Sequence, residues 1–298
     1  MSEPDPALAK PTKKTRKPVK KTGGKPIGQA PDIKVNGKMS AADEKSSPRS
    51  KKRRKAPIPK VDAKTSTRKP FWKRWTGWLI KRVLVVVFIL SLIPVLLTAL
   101  YWPSFVHPIS SLMVSKWFSG ETVKREWVKF DDIAPTVWQS VMMSEDGQFC
   151  SHSGVDWNQI NIVVGNALDG DRMRGASTIS MQSVKNLYLW SDRSYLRKVL
   201  EVPLAMLVDA VWGKKRVMEI YLNIAEWGPG IYGIGAASRH HFKRSAGRLS
   251  RRQAALLAVT LPNPKLRNPR KPTRHMKILA RLIQRRAKAS GAYVGCLR

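Results

Sequence analysis

Cysteine is scarce in this chain of 298 residues, which contains only Cys150 and Cys296. Two cysteines are too few for a disulfide framework or a cysteine-based metal site. They could pair with each other in an oxidising compartment, but a free, buried Cys150 is the simpler expectation. Neither a disulfide-stapled module nor a cysteine-bound metal centre is therefore expected.

Acidic residues are also scarce, since 20 Asp and Glu stand against 55 Lys and Arg and leave a net charge of +35. Divided after Arg82, the first part carries +19 (25 basic and 6 acidic residues) and the second part +16 (30 and 14). A basic tail is common, but a folded domain this basic favours an anionic partner. Nucleic acid, phosphorylated lipid and an acidic bilayer all fit at this point.

Aromatic residues are absent from residues 1–70, which are rich in Lys, Pro, Ser and Ala. Such a segment cannot bury enough apolar surface to offset the entropy lost on ordering. We therefore expect residues 1–70 to form a disordered, basic tail.

Charged residues are absent from Val83 to Trp102. About twenty apolar residues can span a bilayer, and the aromatic residues at both ends resemble interfacial belts. Basic residues come before the segment, so the positive-inside rule places the N-terminus in the cytoplasm. A cleaved signal peptide is the alternative, but the leader is too long for one and no A-x-A site follows. The sequence predicts an uncleaved anchor within residues 71–102, with the rest of the chain outside the cytoplasm.

The remainder divides into a mixed segment and a helical domain. Residues 103–130 combine apolar and basic side chains, which suit either a segment lying on the membrane or an ordinary linker. From Ile133 onward, neither the alternation typical of strands nor a βαβ rhythm is seen, and the fold class is mainly α, with the domain at 131–290. Apolar residues recur at helical spacing in Leu196–Trp212, Lys214–Ala225, Arg251–Leu261 and Met276–Ser290.

Two adjacent carboxylates, a histidine and two glycines lie within the stretch Ser144 to Asp156. One helix is predicted before it, over Ile133–Met143, and another after it, with Asp156 as its N-cap. Glu145 would then lie where a helix ends and the chain turns, at the rim of a cleft. The alternative is a helix C-terminus followed by a polar turn without a chemical role.

The stretch Arg174 to Asn186 predicts a helix capped by Ser177 or Thr178. Free N–H groups at the start of a helix attract anions. Lys185 follows about two turns later, where its ammonium could reach a bound phosphate. The alternative is a capped surface helix with a solvated lysine.

Two further stretches are rich in charge. Arg193 precedes a predicted helix on which Arg197 and Glu201, four residues apart, share a face. A surface ion pair of this kind is common and contributes little to stability. Lys214 to Gly230 has the pattern of an amphipathic helix that ends in a Gly/Pro turn, and packing explains it without a catalytic role.

Taken in order, these four stretches resemble the motifs of the peptidoglycan glycosyltransferases, glycosyltransferase family 51, and in particular its monofunctional members. The first motif, E-D-x-x-F-x-x-H-x-G-x-D, is matched by Glu145, Asp146, Phe149, His152, Gly154 and Asp156. The second, G-x-S-T-I-x-Q-Q-x-x-K-N, is matched by Gly175, Ser177, Thr178, Ile179, Gln182, Lys185 and Asn186, with Met181 in place of the first glutamine. The third, R-K-x-x-E, is matched by Arg197, Lys198 and Glu201, and the fourth resembles Lys215 to Asn223.

The resemblance implies a lysozyme-like, mainly α domain with a small membrane-facing lobe, preceded by one transmembrane helix and the disordered basic tail. It implies that lipid II is polymerised into β-1,4 glycan strands, with release of undecaprenyl diphosphate, on the periplasmic side of the bacterial inner membrane. The partners would be lipid II, the growing strand, the bilayer and other cell-wall synthesis proteins, and no nucleic acid is expected. No cofactor would be required, although a divalent cation could take part.

The resemblance also assigns roles to residues. Glu145 would be the general base on the acceptor hydroxyl, and Lys185 and Arg193 would bind the diphosphate with Arg197 and Lys198 nearby. A diphosphate leaves as a stable anion and needs cations rather than an acid, so Glu201, the second catalytic carboxylate, would position those cations. The supporting residues would be Asp146, His152, Ser177, Thr178, Gln182 and Asn186.

One departure and two rival interpretations follow from the motifs. A thioether cannot make the hydrogen bonds of an amide, so Met181 would reduce or retune activity if the usual amide supports the cleft. A lysozyme-like hydrolase is the nearest rival, although the anchor and the phosphate-suited cations count against it. The other rival is a membrane-tethered scaffold or a nucleic-acid binder that uses the basic tail.

Overall fold

The computed structural model describes residues 71–169, 175–190, 192 and 194–298. The predicted tail, residues 1–70, and the predicted diphosphate ligand Arg193 lie outside the described residues. The first described element is helix α1 (Phe71–Leu100), which begins before the uncharged run and ends two residues before its end. From Thr76 to Leu100 it is apolar and long enough to cross a membrane. Its apolar side chains are exposed up to Ile93 and beyond, as expected of a helix whose solvent is lipid.

The last turns of α1 contact the domain through polar groups. The Thr98 side chain is buried, its hydroxyl lies 3.1 Å from that of Tyr188, and the Trp212 indole donates a hydrogen bond of 2.7 Å to the Thr98 carbonyl. Immediately after α1, the guanidinium of Arg216 donates to the carbonyls of Tyr101, Pro103 and Val106. The end of the apolar helix is therefore fixed to the domain by directional hydrogen bonds.

The domain is mainly helical, as predicted. Its further helices are α2 (Ser111–Phe118), α3 (Pro135–Glu145), α4 (Trp157–Leu168), α5 (Ile179–Tyr188), α6 (Tyr195–Ile224), α7 (Ile234–Phe242), α8 (Arg251–Thr260) and α9 (Arg274–Lys288). Short 3₁₀ turns cover Phe130–Asp132, Ala246–Arg248 and Gly291–Leu297. Helix α8 lies at the centre, where Ala254 to Thr260 are buried and the helix packs on α3 and α9. Its N-terminus has the predicted capping box between Ser250 and Gln253.

Helix α6 is two helices joined at a sharp break. Gly213 has φ +70°, a conformation that side chains other than glycine rarely adopt, and it separates the two segments that the sequence predicts as Leu196–Trp212 and Lys214–Ala225. Pro203 lies inside the first of these segments, which begins at Tyr195. The break lets the second segment run through the core while the first carries charged residues to the site.

A small sheet, which period-two alternation did not reveal, joins the start of the domain to its middle. It contains β1 (Lys124–Arg125), β2 (Glu226–Gly228) and β3 (Ile231–Tyr232), in the order β1-β3-β2. Strand β1 pairs parallel to β3, and β2 pairs antiparallel to it. Strands of two or three residues are too short to show an alternating pattern, which explains why sequence inspection missed them.

The expectation of a free Cys150 is wrong, because Cys150 forms a disulfide with Cys296. Their Cα atoms are 5.6 Å apart although 146 positions separate them in the chain. The bond joins the turn that follows α3 to the 3₁₀ segment Gly291–Leu297. Two isolated cysteines carry no sign of this proximity, since it arises only when α3 and the C-terminal segment pack in the folded domain.

Candidate active site

Glu145 is the last residue of α3, at the rim of a cleft as predicted. Its Oε1 accepts a hydrogen bond of 3.2 Å from the Ser144 hydroxyl, and its Oε2 accepts one of 3.2 Å from the Gln182 amide. Partial burial raises the pKa of this carboxyl, while the two hydrogen bonds and the charges of Lys185 and Arg267 act in the opposite direction. Glu145 is thus a carboxylate whose proton affinity is increased but which is still held in a defined orientation.

The orientation of the Gln182 amide is fixed from behind by Tyr221. The Tyr221 hydroxyl donates a hydrogen bond of 3.1 Å to Gln182 Oε1, which leaves the Nε2 group directed at Glu145. Tyr221 is almost fully buried, and desolvation holds its pKa well above the usual value, so it stays a donor. The chain Tyr221–Gln182–Glu145 therefore aims one amide N–H at the carboxylate.

The residue after Glu145 lines the same cleft and stabilises the turn. Asp146 is buried, and its carboxylate contacts His152 Nε2 at 3.0 Å and accepts a hydrogen bond of 2.9 Å from the backbone N–H of Ile179. This N–H is the first of α5, so Asp146 joins the first motif to the start of that helix. The supporting roles expected for Asp146 and His152 agree with this placement.

Thr178 is the N-cap of α5, one of the two caps that the sequence offers. Its Oγ1 accepts from the Met181 N–H at 3.1 Å and donates to the Gly154 carbonyl at 2.5 Å. Gly154 has φ +82°, and a Cβ there would lie 2.4 Å from the Ala205 carbonyl oxygen. The glycine of the first motif is thus required where α6 and the turn approach each other.

The third motif forms a cation cluster around a buried carboxylate. Glu201 is 2% exposed, and its two oxygens accept hydrogen bonds from Arg197 (2.7 Å) and Lys198 (2.8 Å). Arg197 also donates to the Asp192 carbonyl at 2.8 Å, and Lys198 donates to the Ser177 hydroxyl at 2.8 Å. The sequence favoured an exposed ion pair, whereas in the structure Glu201 is buried and is shared by two cations. It holds both of them in fixed positions.

Lys185 lies on α5 between the two carboxylates. Among the described residues, its ammonium has no hydrogen-bond or ion-pair partner. Desolvation lowers its pKa, the nearby Arg197 and Lys198 lower it further, and Glu201 and Glu145 oppose the shift. A half-buried cation without a partner in the part of the chain that the structure describes is well suited to an anionic ligand.

Two residues of the second motif, Met181 and Asn186, are buried. Met181 is fully buried in the hydrophobic core, so the thioether at this position removes no hydrogen bond from Glu145. The adjacent Gln182 supplies that bond instead. Asn186 is also buried, and its backbone carbonyl accepts a hydrogen bond of 3.0 Å from the hydroxyl of Ser111 on α2.

Sequence reasoning missed several residues at the site, and the most informative are Tyr221, Arg286 and Tyr293. Tyr221 belongs to the fourth stretch, which we explained by packing without a catalytic role. The overlooked signal is that a buried tyrosine needs a partner for its hydroxyl. Arg286 and Tyr293, near the C-terminus, line a cleft of about 340 Å³ together with Glu145. Their sequence surroundings carry no signal, because only the fold brings the end of the chain to α3.

Comparisons with known proteins place this geometry in a family. A family model described as "Transglycosylase" matches residues 112–288. A "Biosynthetic peptidoglycan transglycosylase" of Brucella suis biovar 1 (strain 1330) is 61% identical over 217 residues, which are 73% of this chain and 96% of the relative. Proteins with the same name from Agrobacterium fabrum (strain C58 / ATCC 33970) and Rhizobium meliloti (strain 1021) are 59% identical over 219 residues and 56% identical over 230 residues. These matches cover 74% and 75% of this chain and 97% and 98% of the two relatives.

Proposed function

The chain belongs to the transglycosylase family, and from this premise we propose that it polymerises lipid II into β-1,4 glycan strands and releases undecaprenyl diphosphate. Family membership and the relatives' shared name make it a peptidoglycan glycosyltransferase that acts in cell-wall biosynthesis. The identity of the donor, the leaving group and the residue roles are the proposal. The observation that carries it is the combination of an oriented, half-buried Glu145 at the end of α3 with Lys185 on α5, whose ammonium has no partner among the described residues.

Glu145 is the general base in this mechanism. It accepts the proton of the acceptor's 4-hydroxyl as that oxygen attacks the sugar carbon that bears the diphosphate, and the configuration at that carbon inverts. A carboxyl whose pKa is raised by burial is a stronger base near neutral pH than a solvated one. The Gln182 amide occupies Oε2 and the Ser144 hydroxyl takes one lone pair of Oε1, so the second lone pair of Oε1 is the one offered to the acceptor hydroxyl.

Cations stabilise the leaving group. Because the diphosphate departs as an anion, its charge is neutralised by Lys185 and by the neighbouring Arg197 and Lys198, with Arg193 added by the family motif. Glu201 cannot serve as a proton donor to a leaving oxygen, since both of its oxygens are engaged by cations. It is a positioning residue for the cluster. We propose that these side chains suffice without a metal, and polymerisation assays with chelator, then with Mg²⁺ restored, test this point.

The membrane arrangement follows from charge and redox state. Helix α1 would anchor the enzyme in the bacterial inner membrane, with basic residues such as Lys81 and Arg82 on the cytoplasmic side. The Cys150–Cys296 disulfide supports a domain in an oxidising compartment, which the periplasm provides. The proposed partners are then lipid II, the growing glycan strand, the bilayer and other proteins of cell-wall synthesis.

The decisive experiment is incubation of the full chain with purified lipid II. We expect polymer and free undecaprenyl diphosphate, and a loss of at least about 100-fold in rate for Glu145→Gln with lipid binding retained. A fully active variant would remove Glu145 from the base role. Shortening of preformed strands without polymer would instead support the hydrolase. Deletion of residues 1–70 should leave catalysis intact, whereas complete loss would support a tail-dependent scaffold.

A further inference from the structure

The cleft beside Glu145 extends away from the cation cluster. Its walls include Gln148 in the first-motif turn, Gln159 on α4, Ser177 before α5, and Arg286 and Tyr293 from the C-terminal region. None of Lys185, Arg197 and Lys198 lines it, but Ser177 accepts the hydrogen bond of Lys198 and so marks the border between the two regions. Glu145 thus separates a cationic side from a side rich in amides and hydroxyls.

Tyr293 is an exposed aromatic residue on a well-anchored segment. Its side chain is 53% exposed, whereas Val294 and Leu297 are 0% and 2% exposed in the core. Cys296, between them, is bonded to Cys150 in the first-motif turn. The phenol ring is therefore held at the cleft by its neighbours without being buried itself, which is the arrangement of a contact surface rather than of a core residue.

Arg286 lies on the exposed face near the end of α9. Among the described residues, its guanidinium has no hydrogen-bond or ion-pair partner, although Glu145 and Asp156 line the same cleft. A planar guanidinium binds a carboxylate with two parallel hydrogen bonds. An uncommitted Arg beside an exposed Tyr and two side-chain amides offers groups for a sugar ring, its hydroxyls and an acidic substituent.

We propose that Tyr293 and Arg286 form a subsite for a carboxylate-bearing saccharide, next to Glu145 and on the opposite side from the diphosphate. The Tyr293 ring packs against the C–H face of the sugar, and the amides of Gln148 and Gln159 bind its hydroxyls. Arg286 binds the acidic substituent, a carboxylate of the peptide that the saccharide of lipid II would carry. Tyr293 lies beyond residue 288, where the matched family region ends. The inference deepens the proposed function and rests on it for the identity of the saccharide.

The test measures binding without turnover. The full chain in detergent is titrated by calorimetry with a soluble, lipid-free disaccharide carrying its peptide, and with the same disaccharide after removal of the peptide. Tyr293→Ala should weaken binding of both ligands, and Arg286→Ala should weaken only the peptide-bearing one by about tenfold, the effect of one charged hydrogen-bonded contact. Tyr293→Phe should bind like the wild type, because it keeps the ring. Arg285→Ala is the matched control, since Arg285 is the preceding exposed residue of α9 and does not line the cleft.

Each other outcome contradicts the subsite. Binding by Tyr293→Ala equal to that of the wild type, or an equal effect of Arg285→Ala and Arg286→Ala, would overturn it. So would a wild-type chain that fails to bind the peptide-bearing disaccharide. Thermal unfolding of Tyr293→Phe and Tyr293→Ala separates lost binding from lost folding. A chain that binds as expected but makes no polymer would refute the proposed function and leave the subsite standing.

Discussion

Replacing Gln182 with Leu tests whether the amide controls the proton affinity of Glu145. The Gln182 Nε2–Glu145 Oε2 hydrogen bond of 3.2 Å favours the charged carboxylate and so lowers its pKa, against the effect of burial. Hydrogen bonds to charged groups are worth about 1.5–3 kcal/mol. At 3.2 Å this bond is long for its class, so its loss should favour the protonated carboxyl by about 1.5 kcal/mol, the lower end of that range. Leu has a similar size and cannot donate, so the pKa of Glu145 should rise.

The assay is the initial rate of lipid II polymerisation, measured as kcat/KM between about pH 5 and 9. A general base acts when deprotonated, so activity falls at low pH, and a higher pKa moves this acid limb to higher pH. We expect the acid limb of Gln182→Leu to move to higher pH, so that kcat/KM on that limb falls by about tenfold relative to the wild type. Ionisation of the substrate's diphosphate is the same for every variant and cannot produce a shift.

A control variant separates electrostatics from damage. Gln182→Leu leaves the buried Tyr221 hydroxyl without its acceptor, which costs about 1–3 kcal/mol of stability. The double variant Gln182→Leu with Tyr221→Phe removes that hydroxyl and should keep the shifted acid limb while recovering stability. An acid limb unchanged in both variants would refute the assignment of Glu145 as the titrating base, or of Gln182 as its donor.

Three other changes address the rest of the molecule. Glu201→Gln removes a carboxylate that raises the pKa of Lys185, so the alkaline limb of the same profile should move to lower pH, and a limb at the wild-type position would contradict this. Cys296→Ser should lower the free energy of unfolding by about 2–5 kcal/mol because a long loop is opened. Reductant should lower the denaturation midpoint of the wild type to that of the variant and should leave the midpoint of the variant unchanged. Arg216→Lys removes the guanidinium that donates to the backbone carbonyls of residues 101–106. Limited proteolysis of that segment should therefore accelerate, and Lys215→Arg serves as the control.

Local patterns were sufficient for the helices and the turn. The spacing of apolar residues placed α3, α8 and α9 to within a few residues, and Asp156 caps the N-terminus of α4 by accepting from the Gln159 N–H at 2.9 Å. The two helical segments Leu196–Trp212 and Lys214–Ala225 were also predicted separately, and the structure breaks the helix at the Gly213 between them. These features depend on neighbours in sequence, which is why a single sequence reveals them.

Features that depend on distant residues were not visible. The disulfide, the sheet and the contact of Tyr221 with Gln182 join residues that are 146, about 100 and 39 positions apart. The burial of Glu201 between two cations was equally hidden. The spacing of Arg197 and Lys198 from Glu201 predicts only exposed i,i+4 and i,i+3 ion pairs. Motif spacing singled these residues out, but only the packing of α5 against α6 shows which groups are engaged and that Lys185 has no partner in the part of the chain that the structure describes.

Helix α5 connects the two halves of the proposed chemistry. Thr178, Gln182 and Lys185 are spaced by four and three residues, so they share one face of the helix, while Met181 and Val184 on the other face lie in the core. Gln182 and Lys185 are separated by about 4.5 Å of helix rise. The donor that orients the base and the cation proposed for the leaving group are thus fixed to one rigid element, which is anchored by Thr178 at its start and by the core behind it. Such an arrangement sets the distance between the proposed base and the proposed diphosphate ligand before the substrate arrives, and Met181, on the core face of the helix, contributes to neither group.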